Sequence, residues 1–426
     1  MNERAPLSAQ SWSLHDAERY LLSLELFGMR FGLDRMRRLT TVLGLPQERF
    51  GSIHVVGTNG KSSTTRMTAA ILLRHGLRTG AYLSPHLVSF TERIRVDDSD
   101  VEPDRFAAAV HRAARAAAKV DRTLDEGDRV TQFEALTAAA YWLLADAGVD
   151  VAVVEAGLGG RYDATNVIPS AVQVLTNVGL EHTRWLGPTV ADIAAEKLAV
   201  VRPGGTLVVG AGLHPDAAAL AERVCAERGA RLVVAPADAG IDTLAPGSYQ
   251  RRNFALARAA AEAYLGGLDE QAVRAAAAST LVPGRFQVMG GDDGRAVVVL
   301  DGAHNPGGMA ALADALRGFL DGRRLVAAVS VLDDKDAAGM LRELLPLCDE
   351  VVFCANSNPR AMSPATLESL ASQLGGPPAR TVADPRRALE AAREAAGPGG
   401  VALATGSIYL IADLLRPDGA GRGSTL

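Results

Sequence analysis

The stretch Ile53-His54-Val55-Val56-Gly57-Thr58-Asn59-Gly60-Lys61-Ser62 begins as a β-branched strand, turns on two glycines, and opens a helical pattern that runs to about Arg74. A phosphate-binding loop sits in that context, between a strand and a helix. Glycines let successive backbone N–H groups point inward, and a helix N-terminus adds partial positive charge, so the turn forms a nest for phosphate oxygens. Lys61 is then placed to neutralise phosphate and Ser62 to ligate magnesium. Val55 stands where the general GxxxxGK[ST] pattern has its first glycine. The alternative is a plain strand-to-helix turn.

Outward from this loop, short β-branched runs alternate with long Ala/Leu-rich helical patterns. This arrangement gives a mostly parallel sheet covered by helices on both faces, hence an α/β fold. Strands are expected at 52–56, 79–83, 149–154, 171–175, 206–209 and 231–234. A second, smaller α/β unit is expected from strands at 296–300, 323–329, 350–354 and 401–404, with helices at 309–320 and 387–395. The helical run 269–279 stops just before Val282-Pro283-Gly284, which places the domain junction near Leu281 to Arg285. The reading is therefore two domains, 1–283 and 284–417, followed by a disordered tail, 418–426. The Ala-rich segment from Phe106 to Val120 reads as an ordinary helix with one solvated face.

With 426 residues the chain is long enough for two or three domains, each with its own core. Its 44 basic and 49 acidic residues leave a formal charge of -5. No polycationic field is present to hold nucleic acid or an anionic membrane. Cys225, Cys348 and Cys354 form no CxxC pair and no metal-ligand spacing, which suits a reducing compartment. The N-terminus lacks a signal pattern, and no stretch of about 18 apolar residues is available to span a bilayer. These features predict a cytoplasmic protein.

The buried-strand pattern Val149 to Val154 delivers Glu155 to its C-terminal end, where ligands gather in such sheets. The next strand leads to Thr176-Asn177-Val178-Gly179-Leu180-Glu181-His182, so His182 is placed to meet Glu155 across the cleft and share a hard cation with it. Each residue taken singly could equally serve as a cap or in the core. Lys197 lies in a helical stretch, 190–201, where lysines are usually solvated.

The strings GTNGKS (57–62), SPHL (84–87), TQFEALT (131–137), VEAGLGGRYDATNVI (154–168), GLEHTRWLG (179–187), VPGRF (282–286) and DGAHNP (301–306) occur in this order. In order and spacing they resemble the folylpolyglutamate and dihydrofolate synthases of the Mur ligase superfamily, from about Leu22 to Leu414. That resemblance implies a P-loop ATPase domain followed by a Rossmann-like domain, and an ATP-dependent ligase that joins L-glutamate to a pterin or folate carboxylate through an acyl phosphate. It implies that Gly57, Thr58, Asn59, Gly60, Lys61 and Ser62 bind ATP. Ser84 joins Ser62, Glu155 and His182 at Mg2+, with a monovalent cation such as K+ as a further candidate. Lys197 becomes carbamylated, and a second negative group beside a cation gives that change a physical reason.

In the second domain the resemblance makes Arg285 a phosphate contact and Asp301 a ribose contact, and puts His304 near the transferred phosphate. Asn253 is implied near adenine, with helix N-capping an equal alternative. Phe31, Gly32, Leu33, Asp34, Gln132, Phe133, Tyr162, Asp163 and Ala164 correspond to a pterin pocket, where an aromatic ring can stack on the pterin. Core packing is the alternative for Phe31 and Phe133. Two departures are local: Ser62 follows the loop lysine where relatives often have glycine, and Glu196-Lys197-Leu198-Ala199-Val200 replaces EKAGI.

The family further suggests a monomer. A peptidoglycan-precursor ligase, the nearest rival, would need an added N-terminal nucleotide-sugar domain, for which the 56 residues before Gly57 are too few. A rival of another class is a nucleotide-dependent regulator that forms no bond.

Overall fold

The computed structural model describes residues 12–25, 32–291 and 294–417. The tail 418–426 and Phe31 lie outside the described residues. Two sheets organise the chain. The first contains β1 (Gly51–Val56), β2 (Thr79–Tyr82), β3 (Ile94–Val96), β4 (Ser99–Asp100), β5 (Val151–Glu155), β6 (Val172–Leu175), β7 (Thr206–Val209) and β8 (Arg231–Val234). Their order is β4-β3-β2-β5-β1-β6-β7-β8, parallel except where β3 pairs with β2 and β4. The second contains β9 (Gln287–Met289), β10 (Val297–Leu300), β11 (Leu325–Val329), β12 (Glu350–Phe353), β13 (Ala379–Thr381) and β14 (Val401–Thr405). Its order is β13-β12-β11-β14-β10-β9, with only β9 antiparallel.

The strands expected from sequence are present, some with shifted ends, and β3, β4, β9 and β13 are additional. These four are edge or near-edge strands of two or three residues. Such short segments bury little and carry no period-2 signal. The helix expected over 190–201 ends at Leu198.

β1 is buried on both faces, with Ile53, Val55 and Val56 in the core and Ser52 and His54 as buried polar residues. Ile53 and Val55 pack toward helices Lys61–Arg74 and Ser248–Leu265, whereas Val56 points to the opposite layer with Ile193 and Leu198. Successive strand side chains alternate faces, so a single segment anchors both layers. Each such buried side chain contributes roughly 1.5–3 kcal/mol.

The chain turns in opposite directions from β1. β5 lies on one side, level with it at Val55↔Glu155, and β6 on the other, at Val56↔Leu175. This is the switch point at which the strand order reverses and a crevice opens beyond the carboxyl ends. Val282 still packs in the first core, while Phe286 is fully buried in the second. Leu87 of the first domain enters a cluster with Val298, Leu410 and Ile411 of the second. All three cysteines are free and buried. Among the described residues no helix is long and apolar enough to cross a membrane.

Candidate active site

A cleft of about 1350 Å³ opens at this switch point and is lined from both domains. Its floor is the glycine turn. Gly57 and Gly60 have φ values of 154° and 82°. A Cβ at Gly57 would lie 1.8 Å from Thr176 Oγ1, and one at Gly60 would lie 2.5 Å from Asn253 Oδ1, so only glycine fits either place. The loop after β6 holds the turn. Asn59 N–H donates to Asn177 Oδ1 at 2.9 Å, while Asn177 Nδ2 and Thr176 Oγ1 donate to the Asn59 carbonyl at 3.1 and 2.7 Å.

Lys61 Nζ donates to the carbonyls of Gly57 and Thr58 at 3.0 and 3.1 Å. Lys197 Nζ, 4% exposed as a residue, reaches the same Gly57 carbonyl at 2.8 Å. Burial, reinforced by the positive charge of Lys61, lowers its amine to about 7. The helix that carries it therefore presents this lysine inward, contrary to the solvated default.

Glu155 is 1% exposed. Its Oε1 accepts from Ser62 Oγ at 2.9 Å and its Oε2 from Ser84 N–H at 3.2 Å. Burial pushes its carboxyl up to about 7 against the opposing pull of Lys61 and these hydrogen bonds. Hydroxyl and carboxylate oxygens around one buried acid suit a hard divalent cation. With a single carboxylate, most coordination positions would be left to phosphate oxygens and water, as magnesium prefers. Among the described residues no group of three or more His, Cys, Asp or Glu forms a metal cage.

His182 lines the same cleft, but the partner it finds is Glu181, 3.6 Å from its Nε2, and not Glu155. The backbone at His182 is left-handed, φ 51°, and turns at once into helix Thr183–Leu186. Burial lowers the His182 imidazole to about 4 despite Glu181. Burial alone would raise the Glu181 carboxyl, but the hydrogen bond with His304 and the charge of Lys61 hold it well below the usual carboxylate range.

From the second domain come Arg285, Asp301 and His304. Asp301 Oδ2 accepts from Phe286 N–H at 2.8 Å and from the Tyr249 hydroxyl, and its Oδ1 accepts from Ala303 N–H at 2.8 Å. Asn305 and Asn59 exchange amide hydrogen bonds at 3.0 and 3.1 Å, so the phosphate loop is tied directly to the second domain. Asn253 lies within helix Ser248–Leu265, not at its start, which removes the N-cap alternative; it faces Gly60 and donates to Gln250 Oε1 at 3.1 Å.

Of the expected pterin wall, Gly32, Phe133, Tyr162, Asp163 and Ala164 line the cleft. The Phe133 ring lies so close to Gly157 that a Cβ there would meet it at 2.6 Å, and Tyr162 is 49% exposed. Leu33, Asp34 and Gln132 do not line it. The Gln132 amide donates to the Leu21 carbonyl at 2.8 Å, and Asp34 lies 3.6 Å from Arg37 in the first turn of its helix. Sequence reasoning passed over Asn177, Glu181, Tyr249 and Asn305. Glu181 and Asn305 each stand beside a histidine that had been singled out, and that adjacency was the available signal.

Comparison with known proteins accords with this geometry. Residues 284–408 match the family model for the Mur ligase glutamate ligase domain. The chain is 36% identical over 400 residues to a dihydrofolate synthase/folylpolyglutamate synthase of Mycobacterium tuberculosis, covering 84% of this chain and 82% of that protein. The structure of the M. tuberculosis folylpolyglutamate synthase complexed with ADP and AMPPCP superposes with a TM-score of 0.86 at 33% identity, over 94% of this chain and 97% of that one. A bifunctional folylpolyglutamate synthase/dihydrofolate synthase of Yersinia pestis, complexed with AMPPNP and a manganese ion, gives a TM-score of 0.84 at 30% identity, over 96% and 98%. The chain belongs to the dihydrofolate synthase/folylpolyglutamate synthase family of the Mur ligase superfamily, the ATP-dependent ligases that add glutamate to folates.

Proposed function

We propose that this protein uses ATP to join L-glutamate to folates, and to dihydropteroate as well, with residues 1–283 holding nucleotide and pterin and residues 284–417 closing over them. The observation that carries this reading is the meeting, in one cleft, of Lys61, Ser62 and Glu155 from the first domain with Arg285 and His304 from the second.

A carboxylate resists attack by an amine because its leaving group would be oxide. Its oxygen first attacks the γ-phosphorus of ATP, and the bond to ADP breaks. The glutamate amine then attacks the acyl carbon, phosphate leaves, and the amine loses a proton. Lys61 and Arg285 spread the charge of the transferring group, and His304 stands beside it. Closure brings the amine to the acyl carbon.

Magnesium would be held by Ser62, Ser84, Glu155 and His182, and when bound it neutralises phosphate charge. His182 would reach the metal by leaving Glu181, which lies 3.6 Å from its Nε2. A buried amine lowered to about 7 is substantially neutral near neutral pH. Lys197 can then attack CO2, form an N–C bond and release a proton, giving a carbamate. Asn253 stands toward adenine beyond Gly60. Asp301 would meet the ribose by exchanging its bond with Tyr249. Gly32, Phe133, Tyr162, Asp163 and Ala164 form the pterin wall. We take the enzyme to act as a monomer in the cytoplasm.

The test is a coupled assay of ADP release. Release must depend on both the pterin acid and glutamate, and Lys61→Ala must abolish it. Release without either substrate would favour a nucleotide-driven regulator.

A further inference from the structure

We propose that Glu181 is the residue that positions His304, and that through this contact the loop after β6 fixes the second domain over the phosphate cradle. Glu181 Oε1 lies 3.4 Å from Nε2 of His304 and 3.6 Å from Nε2 of His182. One carboxylate oxygen is therefore shared by two imidazoles, one from each domain. The His304 ring is fixed from its other side as well, because its Nδ1 stands 2.9 Å from the Gly302 carbonyl. With both nitrogens engaged, the ring cannot rotate without losing both contacts.

Burial separates the two roles. The Glu181 side chain is 10% exposed and that of His304 is 29%, so the carboxylate is the shielded anchor and the imidazole faces the cleft. The same loop supplies Asn177 and Gly179, which hold Asn59 and Thr58 of the glycine turn. One short segment thus grips the phosphate loop with its first residues and the second domain with Glu181. The reciprocal amide pair of Asn59 and Asn305 ties the two domains at the same place. Among the described residues, removing Glu181 leaves His304 held by the Gly302 carbonyl. A reacting group displaced by about 1 Å can lose about a hundredfold in rate.

This inference rests on the ligase reading, and its test separates the two. The full-length enzyme, labelled with 15N in its histidine rings, gives a resonance for His304 that His304→Ala identifies among the 8 histidines. Glu181→Ala is expected to move that resonance, and an unchanged resonance overturns the proposal. In the coupled assay Glu181→Ala should lower kcat about tenfold or more, with KM for ATP within about twofold of wild type. Added to His304→Ala, it should cause no further loss; losses that multiply would overturn the coupling. If Glu181→Ala fails to fold, Glu181→Gln replaces it, with the same directions expected. If His304→Ala turns over normally while Glu181→Ala still moves the resonance, positioning stands and the role given to His304 in the chemistry fails.

Discussion

Lys61 and Lys197, from helices Lys61–Arg74 and Val190–Leu198, both donate to the carbonyl oxygen of Gly57, at 3.0 and 2.8 Å. Burial, with the charge of Lys61 on the same acceptor, lowers the Lys197 amine to about 7. The pair sets this buried amine beside the lysine of the phosphate loop.

The pH dependence follows with a definite sign. Below pH 7 Lys197 is charged in both folded and unfolded states, and the fold carries the full burden of a buried cation. Between 7 and the ordinary lysine value of 10.5 the unfolded state binds more protons, so stability rises with pH. Lys197→Met is expected to stabilise the apoprotein at pH 6 by thermal melting, with the difference shrinking toward pH 10. Mass spectrometry of native protein should find more carbamate on Lys197 at pH 8 with bicarbonate than at pH 6.5.

Gly60→Ala should weaken nucleotide binding. The added Cβ would meet Asn253 Oδ1 at 2.5 Å, and a φ of 82° strains an alanine by roughly 1–2 kcal/mol. Calorimetric titration with ADP is expected to show an affinity lower by about tenfold or more, with the circular dichroism spectrum unchanged. Wild-type affinity would refute the close approach.

Asn305 has two separable jobs. Its Oδ1 caps helix Pro306–Leu320 by accepting from Gly308 N–H at 2.7 Å and also accepts from Asn59 Nδ2 at 3.1 Å, while its Nδ2 donates to Asn59 Oδ1 at 3.0 Å. Asn305→Asp keeps the cap and loses the donor, so the melting temperature should stay near wild type while turnover falls. Asn305→Ala loses both and should also destabilise by about 1 kcal/mol. Equal melting curves for the two variants would contradict this division.

Leu87 is a first-domain side chain buried among second-domain residues, and its backbone N–H is held by Glu92 at 2.8 Å. Leu87→Ala should destabilise the protein by about 2–5 kcal/mol in urea titration and leave a cavity at the domain contact. A change under about 0.5 kcal/mol would mean the two domains do not depend on it.

Much of the site could be read along the chain because its chemistry is carried by contiguous segments at strand ends. The glycine turn, Glu155 and the segment ending in His182 each follow a strand, and three neighbouring parallel strands bring them to one crevice. That Gln132, Leu33 and Asp34 do not line the cleft could not be read along the chain. Their motif neighbours Phe133 and Gly32 line the cleft, but successive residues of a helix point in different directions, and one residue of offset turned Gln132 toward the Leu21 carbonyl.

The sequence by itself determined the alternation of strands and helices, the phosphate cradle and the identity of the residues at the strand ends, because these depend on local periodicity and on backbone conformations that only glycine supplies. The tertiary structure alone decided that Lys197 is buried beside Lys61, that Asp301 is engaged by Tyr249, and that Glu181 joins histidines from two domains. Those contacts connect positions far apart in the chain, and the burial that sets their charge arises only when the sheets and the domains pack.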